Sequence, residues 1–269
     1  EISACLVGSE MCIRDSTIAV REVPLKEASR FGIMNTREDG SIYEFEEKPK
    51  KPKSTNASMG IYVFNWKDLK QYLIEDEENP ESSNDFGKNI IPNMLNAGEV
   101  MQAYRFDGYW KDVGTLESLW DANMDMLSRS DLDLLEPSWP IYARLPAEPP
   151  AFIGRSALVE HSVVTQGCEV EGTVMNSVLS HGVQIEEGAE VHYSVLMPGV
   201  VVKKGAVVRY AILGENSVVD ADAKVGGDPE SCDPETWGIT VLGPGVHIAQ
   251  GETVAPKTML NSEHKEVAR

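Results

Sequence analysis

The six residues Ser162-Val-Val-Thr-Gln-Gly167 begin a pattern that recurs through the second half of the chain. Related units follow at intervals of 15, 17 and 17 residues: Ser177-Val-Leu-Ser-His-Gly182, Ser194-Val-Leu-Met-Pro-Gly199 and Ala211-Ile-Leu-Gly-Glu-Asn216. Branched apolar residues recur six positions apart in the pairs Ile153 and Val159, Val164 and Val170, Ile185 and Val191, and Val202 and Val208. This spacing predicts a parallel β-helix, in which each inward side chain stacks on its counterpart in the next coil.

The predicted β-helix domain covers residues 151–269, and a change in composition precedes it. Prolines accumulate between Ser130 and Pro150 without any helical period, so residues 130–150 are interpreted as a linker. The segment from Gly226 to Trp237 is polar and interrupts the repeats, which resume from Ile239 to Val254. We therefore expect one insertion that projects from the β-helix.

Residues 17–129 mix the patterns of strands and helices. Strands are predicted over Thr17–Val23 and Ser58–Phe64, and helices over Trp66–Glu75, Phe86–Asn96 and Thr115–Leu127. Pro92 is expected to start or break the second helix, and the Thr115 hydroxyl is expected to cap the third. Such a mixture predicts an α/β domain.

This α/β domain contains a run of carboxylates and cations, Glu44-Phe-Glu-Glu-Lys-Pro49, which continues as Lys50-Lys-Pro-Lys53. The prolines lack backbone donors and fix φ, so they end the preceding strand and keep the loop extended. An ammonium group can bind a phosphate, and a carboxylate can accept hydrogen bonds from sugar hydroxyls. The run is therefore a candidate sugar-phosphate site, although a solvated turn before a proline is the commoner origin of such a run.

The run resembles the F-x-E-K-P signature of the nucleotidyltransferases that make nucleoside-diphosphate sugars. Further motifs are similar to those of the bacterial glucose-1-phosphate adenylyltransferases: Ala28-Ser-Arg-Phe-Gly-Ile-Met34, Ala57-Ser-Met-Gly-Ile-Tyr-Val-Phe-Asn65, Asp85-Phe-Gly-Lys-Asn-Ile-Ile-Pro92 and Tyr109-Trp-Lys-Asp-Val-Gly-Thr115. The resemblance implies part of a Rossmann-like α/β nucleotidyltransferase domain, followed by a left-handed parallel β-helix of hexapeptide repeats. It also implies a reaction of glycogen synthesis, in which glucose 1-phosphate attacks the α-phosphate of ATP to give ADP-glucose and pyrophosphate.

The resemblance implies roles for individual residues of the sugar-phosphate pocket. These substrate-binding residues are Gly32, Glu47, Lys48, Ser58, Asp85 and Trp110. Lys48 falls on the position that binds the sugar phosphate, and Glu47 on the position that holds sugar hydroxyls. Asp85 falls in a loop that closes over the sugar, and Trp110 is expected to pack beside it.

Asp112 matches a carboxylate that helps to bind Mg²⁺, so it is the implied catalytic and metal-binding residue. Mg²⁺ is usually held by one or two carboxylates together with substrate phosphates, so Asp112 needs a partner. The alternative interpretation is a negative charge at the start of a helix, where the helix dipole stabilises it.

The expected partner of Asp112 and the loop around the ATP triphosphate are missing from this sequence. The family carries both in its N-terminal half, and no G-x-G-x-R stretch occurs here. The chain is therefore interpreted as a C-terminal fragment that is inactive alone. Residues 1–16 do not fit the family and are expected to be a non-native leader, with a divergent natural N-terminus as the alternative.

The composition limits the possible partners. The chain has 24 Lys+Arg against 43 Asp+Glu, a net charge of −19, which argues against binding to nucleic acid or an anionic membrane. No apolar run approaches the roughly 20 residues that span a bilayer. The four cysteines show no CxxC pairing, which favours a reducing, cytoplasmic compartment. The resemblance further implies a homotetramer with a phosphorylated allosteric effector.

Two other functions remain open at the level of sequence. Hexapeptide β-helices also occur in acyltransferases that use a histidine base, and the repeats contain His161, His181, His192 and His247. Each of these histidines is also explained as a solvent-facing turn residue. The second alternative is a non-catalytic regulatory subunit of the same enzyme, against which the retained motif residues argue.

Overall fold

The computed structural model describes residues 16–128, 137–142, 146–263 and 265–267. Two compact units divide the chain, with their boundary between Trp110 and Lys111. Each unit has its own hydrophobic core. The predicted leader lies outside the described residues except for Ser16, which begins the first strand.

The first unit is built on a five-stranded mixed sheet. Its strands are β1 (Ser16–Glu22), β2 (Gly32–Thr36), β3 (Ile42–Glu47), β4 (Asn56–Phe64) and β5 (Met101–Arg105). They lie in the order β3-β2-β4-β1-β5, and only β1 and β5 are parallel. Because side chains alternate along each strand, Ile33 and Ala57 belong to a small core on one face, whereas Met34 belongs to the larger core on the other.

Three α-helices accompany the sheet: α1 (Leu25–Ala28), α2 (Trp66–Glu77) and α3 (Ile91–Ala97), the last preceded by a π-helical turn (Phe86–Ile90). The Asn65 side chain caps α2 by accepting from Lys67 N at 3.1 Å. The helix predicted over Phe86–Asn96 thus consists of two segments. Pro92 lies in the first turn of α3, where its missing N–H has no helical partner to lose.

The second unit contains a three-sided parallel β-helix, as the repeats predict. One six-stranded sheet contains β6 (Phe152–Ile153), β9 (Glu169–Val170), β12 (Gln184–Ile185), β15 (Val201–Val202), β18 (Val218–Val219) and β21 (His247–Ile248). The next contains β7 (Leu158–Glu160), β10 (Thr173–Met175), β13 (Glu190–His192), β16 (Val207–Arg209), β19 (Lys224–Gly226) and β22 (Thr253–Val254). The third contains β8 (Val163–Val164), β11 (Val178–Leu179), β14 (Val195–Leu196), β17 (Ala211–Leu213), β20 (Thr240–Leu242) and β23 (Met259–Leu260).

The predicted stacking of inward side chains is confirmed by the strand register. One column of paired residues runs through Ile153, Val170, Ile185, Val202, Val219 and Ile248. From Val170 onward these side chains are buried, but Ile153 is 47% exposed. Ile153 belongs to the first coil, which has a neighbouring coil on one side only. The last coil differs, because Val267 N donates to Met259 O and the chain folds back across it.

A fourth α-helix, α4 (Leu116–Ser128), packs on the β-helix. The predicted cap is confirmed, since Ser118 N donates to Thr115 Oγ1 at 3.2 Å. Trp120 Nε1 donates to Tyr193 O at 2.7 Å, and the Tyr193 and Tyr210 rings stack at 4.8 Å. This helix lies within the predicted domain 17–129, yet it belongs to the second unit, because its apolar residues are partly buried against the solenoid.

The insertion predicted between Gly226 and Trp237 is present and contains a 3₁₀ turn (Pro229–Ser231). Trp237 anchors it by donating to Gly227 O at 2.8 Å and by packing edge-on against the Tyr210 ring. Of the predicted linker, residues 130–136 and 143–145 lie outside the described residues. The described parts of that linker form no helix or strand, and Pro149 O accepts from Gly167 N at 2.7 Å.

Replacing Ile185 by alanine is expected to destabilise the β-helix by about 2–5 kcal/mol, because it empties a fully packed site between Val170 and Val202. Urea unfolding followed by circular dichroism measures the change. Gln184→Ala, at the adjacent outward-facing position, is the control and should change the free energy of unfolding by less than about 0.5 kcal/mol. Equal effects of the two variants would contradict the stacked core.

Candidate functional site

The end of β3 brings three of the predicted substrate-binding residues into one row. Gly32 pairs with Glu47, and Ile33 pairs with Ala57. Because β2 and β4 run in opposite directions, the residue before Ile33 lies beside the residue after Ala57. Gly32 therefore lies beside Ser58. The row Glu47, Gly32, Ser58 therefore crosses three adjacent strands on one face of the sheet.

Glu47 lies in a notch between two glycines. A Cβ atom added to Gly32 would lie 3.1 Å from Glu47 Oε2, and one added to Gly87 would lie 2.9 Å from the same oxygen. The Phe45 ring lies beneath both glycines, 2.7 Å and 3.3 Å from these Cβ positions. Among the described residues, the Glu47 carboxylate has one ion-pair partner, Lys48, and accepts no protein hydrogen bond. Its oxygens are therefore available to hydroxyl donors of a ligand.

Lys48 follows Glu47 directly and adopts a left-handed backbone conformation, with φ of 47°. Its N–H donates to Phe31 O at 3.1 Å, and its Nζ lies 3.8 Å from Glu47 Oε1. A lysine in this conformation before a proline is strained, and such strain typically costs about 1–3 kcal/mol and concentrates at functional sites. The side chain of Lys48 is 66% exposed, so its ammonium group is open to a phosphate.

Trp110 contributes to this region through Phe31. The two rings pack with centroids 5.7 Å apart at 56°. Phe31 packs in the small core with Ile33 and Ala57, on the opposite face from Glu47. Trp110 therefore packs against the residue whose carbonyl oxygen accepts from Lys48 N.

Asp85 caps the π-helical turn. Its Oδ1 accepts from Lys88 N at 2.8 Å, and its backbone N–H donates to Asn89 Oδ1 at 3.3 Å. The neighbouring Phe86 ring packs against Tyr62 and Phe64 at 5.6 and 5.7 Å. Asp85 thus holds in place the turn that carries Gly87, at the edge of the Glu47 notch.

The Ser58 hydroxyl has a local contact as well, since its Oγ accepts from Gly60 N at 3.3 Å. Gly60 has φ of 69° and lies at an irregularity in the pairing of β4 with β1, between Ile18 and Val20. A hydroxyl that accepts here retains a proton to donate. Ser58 can therefore bind an acceptor oxygen of a ligand while it stabilises the bulge.

The two other glutamates of the run have structural partners on the opposite side of β3. The buried Asn35 amide donates to Glu44 Oε2 at 3.0 Å and to Glu46 Oε2 at 2.8 Å. Lys53 Nζ lies 2.6 Å from Glu44 Oε1, and this hydrogen bond holds the pKa of Glu44 below its usual value and raises the pKa of Lys53. Lys53 is therefore engaged within the protein, whereas Glu47 and Lys48 face outward as a pair.

Asp112 lies in the second unit and is exposed. It does not lie at the end of a strand, because β5 ends at Arg105 and residues 106–114 contain no strand. It also precedes the capping residue Thr115, so it lies outside the first turn of α4. A Cβ atom on Gly114 would lie 3.1 Å from Asp112 Oδ2, so glycine leaves room beside the carboxylate.

The described residues contain no cluster of three or more His, Cys, Asp or Glu side chains that could hold a metal ion. A single exposed carboxylate suits Mg²⁺, which keeps water and substrate oxygens as ligands, but it is only part of a site. Asp112 fits one position of such a site, and the remaining donors must come from substrate or from other residues.

Two of the histidines in the repeats have local side-chain partners. His161 Nδ1 lies 2.8 Å from Asn176 Oδ1, at a corner where both residues have positive φ. His247 Nε2 lies 2.7 Å from Asp220 Oδ2. The contact of His161 agrees with its interpretation as a turn residue, whereas for His247 that interpretation is wrong, because His247 begins strand β21 and is exposed there.

A cavity of about 530 Å³ lies elsewhere in the first unit, between α2 and the π-helical turn. Its walls include Trp66, Leu73, Ile74 and Phe86. None of the residues predicted to bind substrate lines it, and it is mostly apolar. The open row at the end of β3 is the better candidate, because it joins an accessible ammonium to a carboxylate that accepts no hydrogen bond from the described residues.

Both halves of the chain are similar to known proteins. Residues 12–129 match the nucleotidyl transferase family, and residues 149–246 match the GlmU-like C-terminal hexapeptide family. A glucose-1-phosphate adenylyltransferase of Clostridium perfringens is 63% identical over 178 residues, which cover 66% of this chain and 46% of the relative. One of Acetivibrio thermocellus is 46% identical over 253 residues, which cover 92% of this chain and 59% of the relative.

The chain is a homologue of the glucose-1-phosphate adenylyltransferases. It spans about half the length of the curated relatives it matches. A nucleotidyltransferase domain with a mixed sheet is followed by a solenoid that matches the left-handed hexapeptide β-helix, so the predicted fold class is confirmed. No helix in the described part of the chain is long and apolar enough to cross a membrane.

Proposed function

We propose that this chain supplies the sugar-phosphate half of a glucose-1-phosphate adenylyltransferase, which forms ADP-glucose and pyrophosphate from glucose 1-phosphate and ATP. The observation that carries the proposal is the Glu47–Lys48 pair, in which an unbonded carboxylate lies 3.8 Å from an exposed ammonium. The pair lies at the end of β3, inside the matched nucleotidyltransferase segment.

The chemistry of the pair suits a sugar phosphate. Lys48 is a compact positive charge that can bind the phosphate, and Glu47 can accept from a sugar hydroxyl. Ser58, on the next strand but one, can donate to a further oxygen. Gly32 leaves room for the Phe45 ring and for the Glu47 carboxylate, because it has no side chain. Binding a sugar phosphate in one orientation would align its phosphate oxygen for attack on a nucleotide.

The remaining parts of the proposal concern the full-length enzyme. Asp112 would supply one ligand to Mg²⁺, whose chemistry when bound is to neutralise charge on the nucleotide phosphates. The resemblance supports a cytoplasmic homotetramer with a phosphorylated effector. Light scattering of the full-length protein over a range of concentrations tests the tetramer.

A regulatory subunit of the same enzyme is the second candidate, since it would share the fold. The free Glu47 and Lys48 pair favours a substrate-binding role, because a subunit without catalysis has no need to retain it. The acyltransferase alternative lacks such support, because that chemistry has no use for the pair.

Lys48→Ala is expected to weaken glucose 1-phosphate binding by about 10- to 100-fold, the loss of one charge-assisted hydrogen bond of about 1.5–3 kcal/mol. Titration calorimetry with this chain measures the dissociation constant. Lys51→Ala, which removes an exposed charge from the same loop, is the control and should change the constant less than about threefold. Similar losses in both variants would show that the loop acts only through its total charge.

A further inference from the structure

Position 87 is occupied by a glycine, although its backbone conformation does not require one. It lies in the π-helical turn and is not among the residues with positive φ, so its conformation does not require glycine. Alanine favours a helical turn over glycine by about 1 kcal/mol. A Cβ atom at this position, however, would lie 2.9 Å from Glu47 Oε2 and 3.3 Å from Asp85 Oδ1. The space that glycine leaves is therefore filled by the Glu47 carboxylate.

The turn that carries Gly87 is fixed by one internal cap and by one packing contact with the sheet. Asp85 caps it by accepting from Lys88 N at 2.8 Å. The Phe86 ring packs on Tyr62 and Phe64, with centroids 5.6 and 5.7 Å away. Because the turn cannot easily move away, a side chain at position 87 would displace the carboxylate instead.

We propose that Gly87 is a positioning residue, which orients the Glu47 carboxylate for recognition of the sugar part of a sugar phosphate. With Oε2 in the notch formed by Gly32 and Gly87, Oε1 faces Lys48 Nζ at 3.8 Å. The notch thus sets the relative placement of the acceptor for a sugar hydroxyl and the cation for the phosphate. Gly87 determines specificity for a phosphate that carries a sugar over phosphate alone, and this role rests on the proposed function.

The test compares glucose 1-phosphate with inorganic phosphate as ligands of this chain. Inorganic phosphate contacts Lys48 without needing Glu47, so wild type should bind glucose 1-phosphate at least about tenfold more tightly. Gly87→Ala should remove this preference and leave the affinity for inorganic phosphate unchanged. Lys88→Ala, in the same turn but exposed, is the control and should keep the preference.

A second measurement does not depend on any ligand. With Glu47 present, Gly87→Ala should raise the melting temperature less than it does when Glu47 is absent, because the added methyl group must displace the carboxylate. In a Glu47→Ala background the same substitution should raise the melting temperature by about 2–4 °C, as expected for alanine in a helical turn. This difference between the two backgrounds is a coupling between the two positions that a general packing defect would not produce.

The outcomes distinguish the positioning role of Gly87 from the proposed function. A wild-type chain that prefers glucose 1-phosphate, together with a Gly87→Ala variant that keeps the preference, overturns the role of Gly87 and leaves the proposed function standing. A wild-type chain without any preference contradicts the proposed function. In that case a Gly87→Ala variant that raises the melting temperature by the same amount in both backgrounds overturns the positioning role as well.

Discussion

A fusion of this chain to the N-terminal segment of a homologous glucose-1-phosphate adenylyltransferase is expected to form ADP-glucose, whereas the chain alone is expected to form none. The sequence contains no G-x-G-x-R loop for a triphosphate. The described residues offer a sugar-phosphate pair but no complete metal site. Pyrophosphate release from ATP and glucose 1-phosphate in the presence of Mg²⁺ measures the difference.

The matched control for the fusion is its Lys48→Ala variant. This variant should raise the KM for glucose 1-phosphate far more than the KM for ATP, because Lys48 contacts only the sugar phosphate in the proposed site. Pyrophosphate release by the chain alone would contradict the expectation that the triphosphate site lies elsewhere. A folded fusion that binds glucose 1-phosphate without turnover would favour the regulatory subunit.

Asp112→Asn in the active fusion is expected to lower kcat by about 10², a change in the barrier of roughly 2.7 kcal/mol. The affinity for glucose 1-phosphate should stay within a few-fold, because Glu47 and Lys48 are unaltered. The melting temperature should also stay constant, since Asp112 is exposed and precedes the cap of α4.

The dependence of kcat on Mg²⁺ concentration distinguishes a metal ligand from a structural charge. If Asp112 is a metal ligand, its loss should raise the Mg²⁺ concentration needed for the half-maximal rate. The control is Asp107→Asn, which removes another exposed carboxylate five residues earlier. Near-normal kcat with a lowered melting temperature would assign Asp112 to stability alone. The position of Asp112 outside the first turn of α4 already disfavours the helix-dipole interpretation.

The β-helix could be predicted in detail from the sequence because each coil obeys the same local rule. Its inward positions repeat every six residues, and the register pairs Val170 with Ile185 and Ile185 with Val202 as predicted. The exposure of Ile153 could not be predicted from spacing, since it depends on which coil has no preceding neighbour. The position of α4 could not be predicted either, because an amphipathic pattern shows which face of a helix packs against the protein but not which surface it packs against.

The sequence predicted which residues form the candidate site but not how they are arranged. The three glutamates of the run look alike in sequence, yet strand alternation and Asn35 engage Glu44 and Glu46 and leave Glu47 free. The π-helical turn is defined by hydrogen bonds between residues five positions apart, which local propensities do not predict. This turn places Gly87 beside Glu47. Contacts between residues forty positions apart require the fold itself.

The two terminal coils of the solenoid are protected to different extents, so the domain is expected to open from one end first. In a stack where each coil contacts only its neighbours, stability is close to a sum of interfaces, and a terminal coil with one interface opens first. The first coil exposes Phe152 and Ile153, whereas the last is crossed by the returning chain at Met259. Amide protons should therefore exchange earliest from the Phe152 end, and fraying should advance from there toward the protected middle coils.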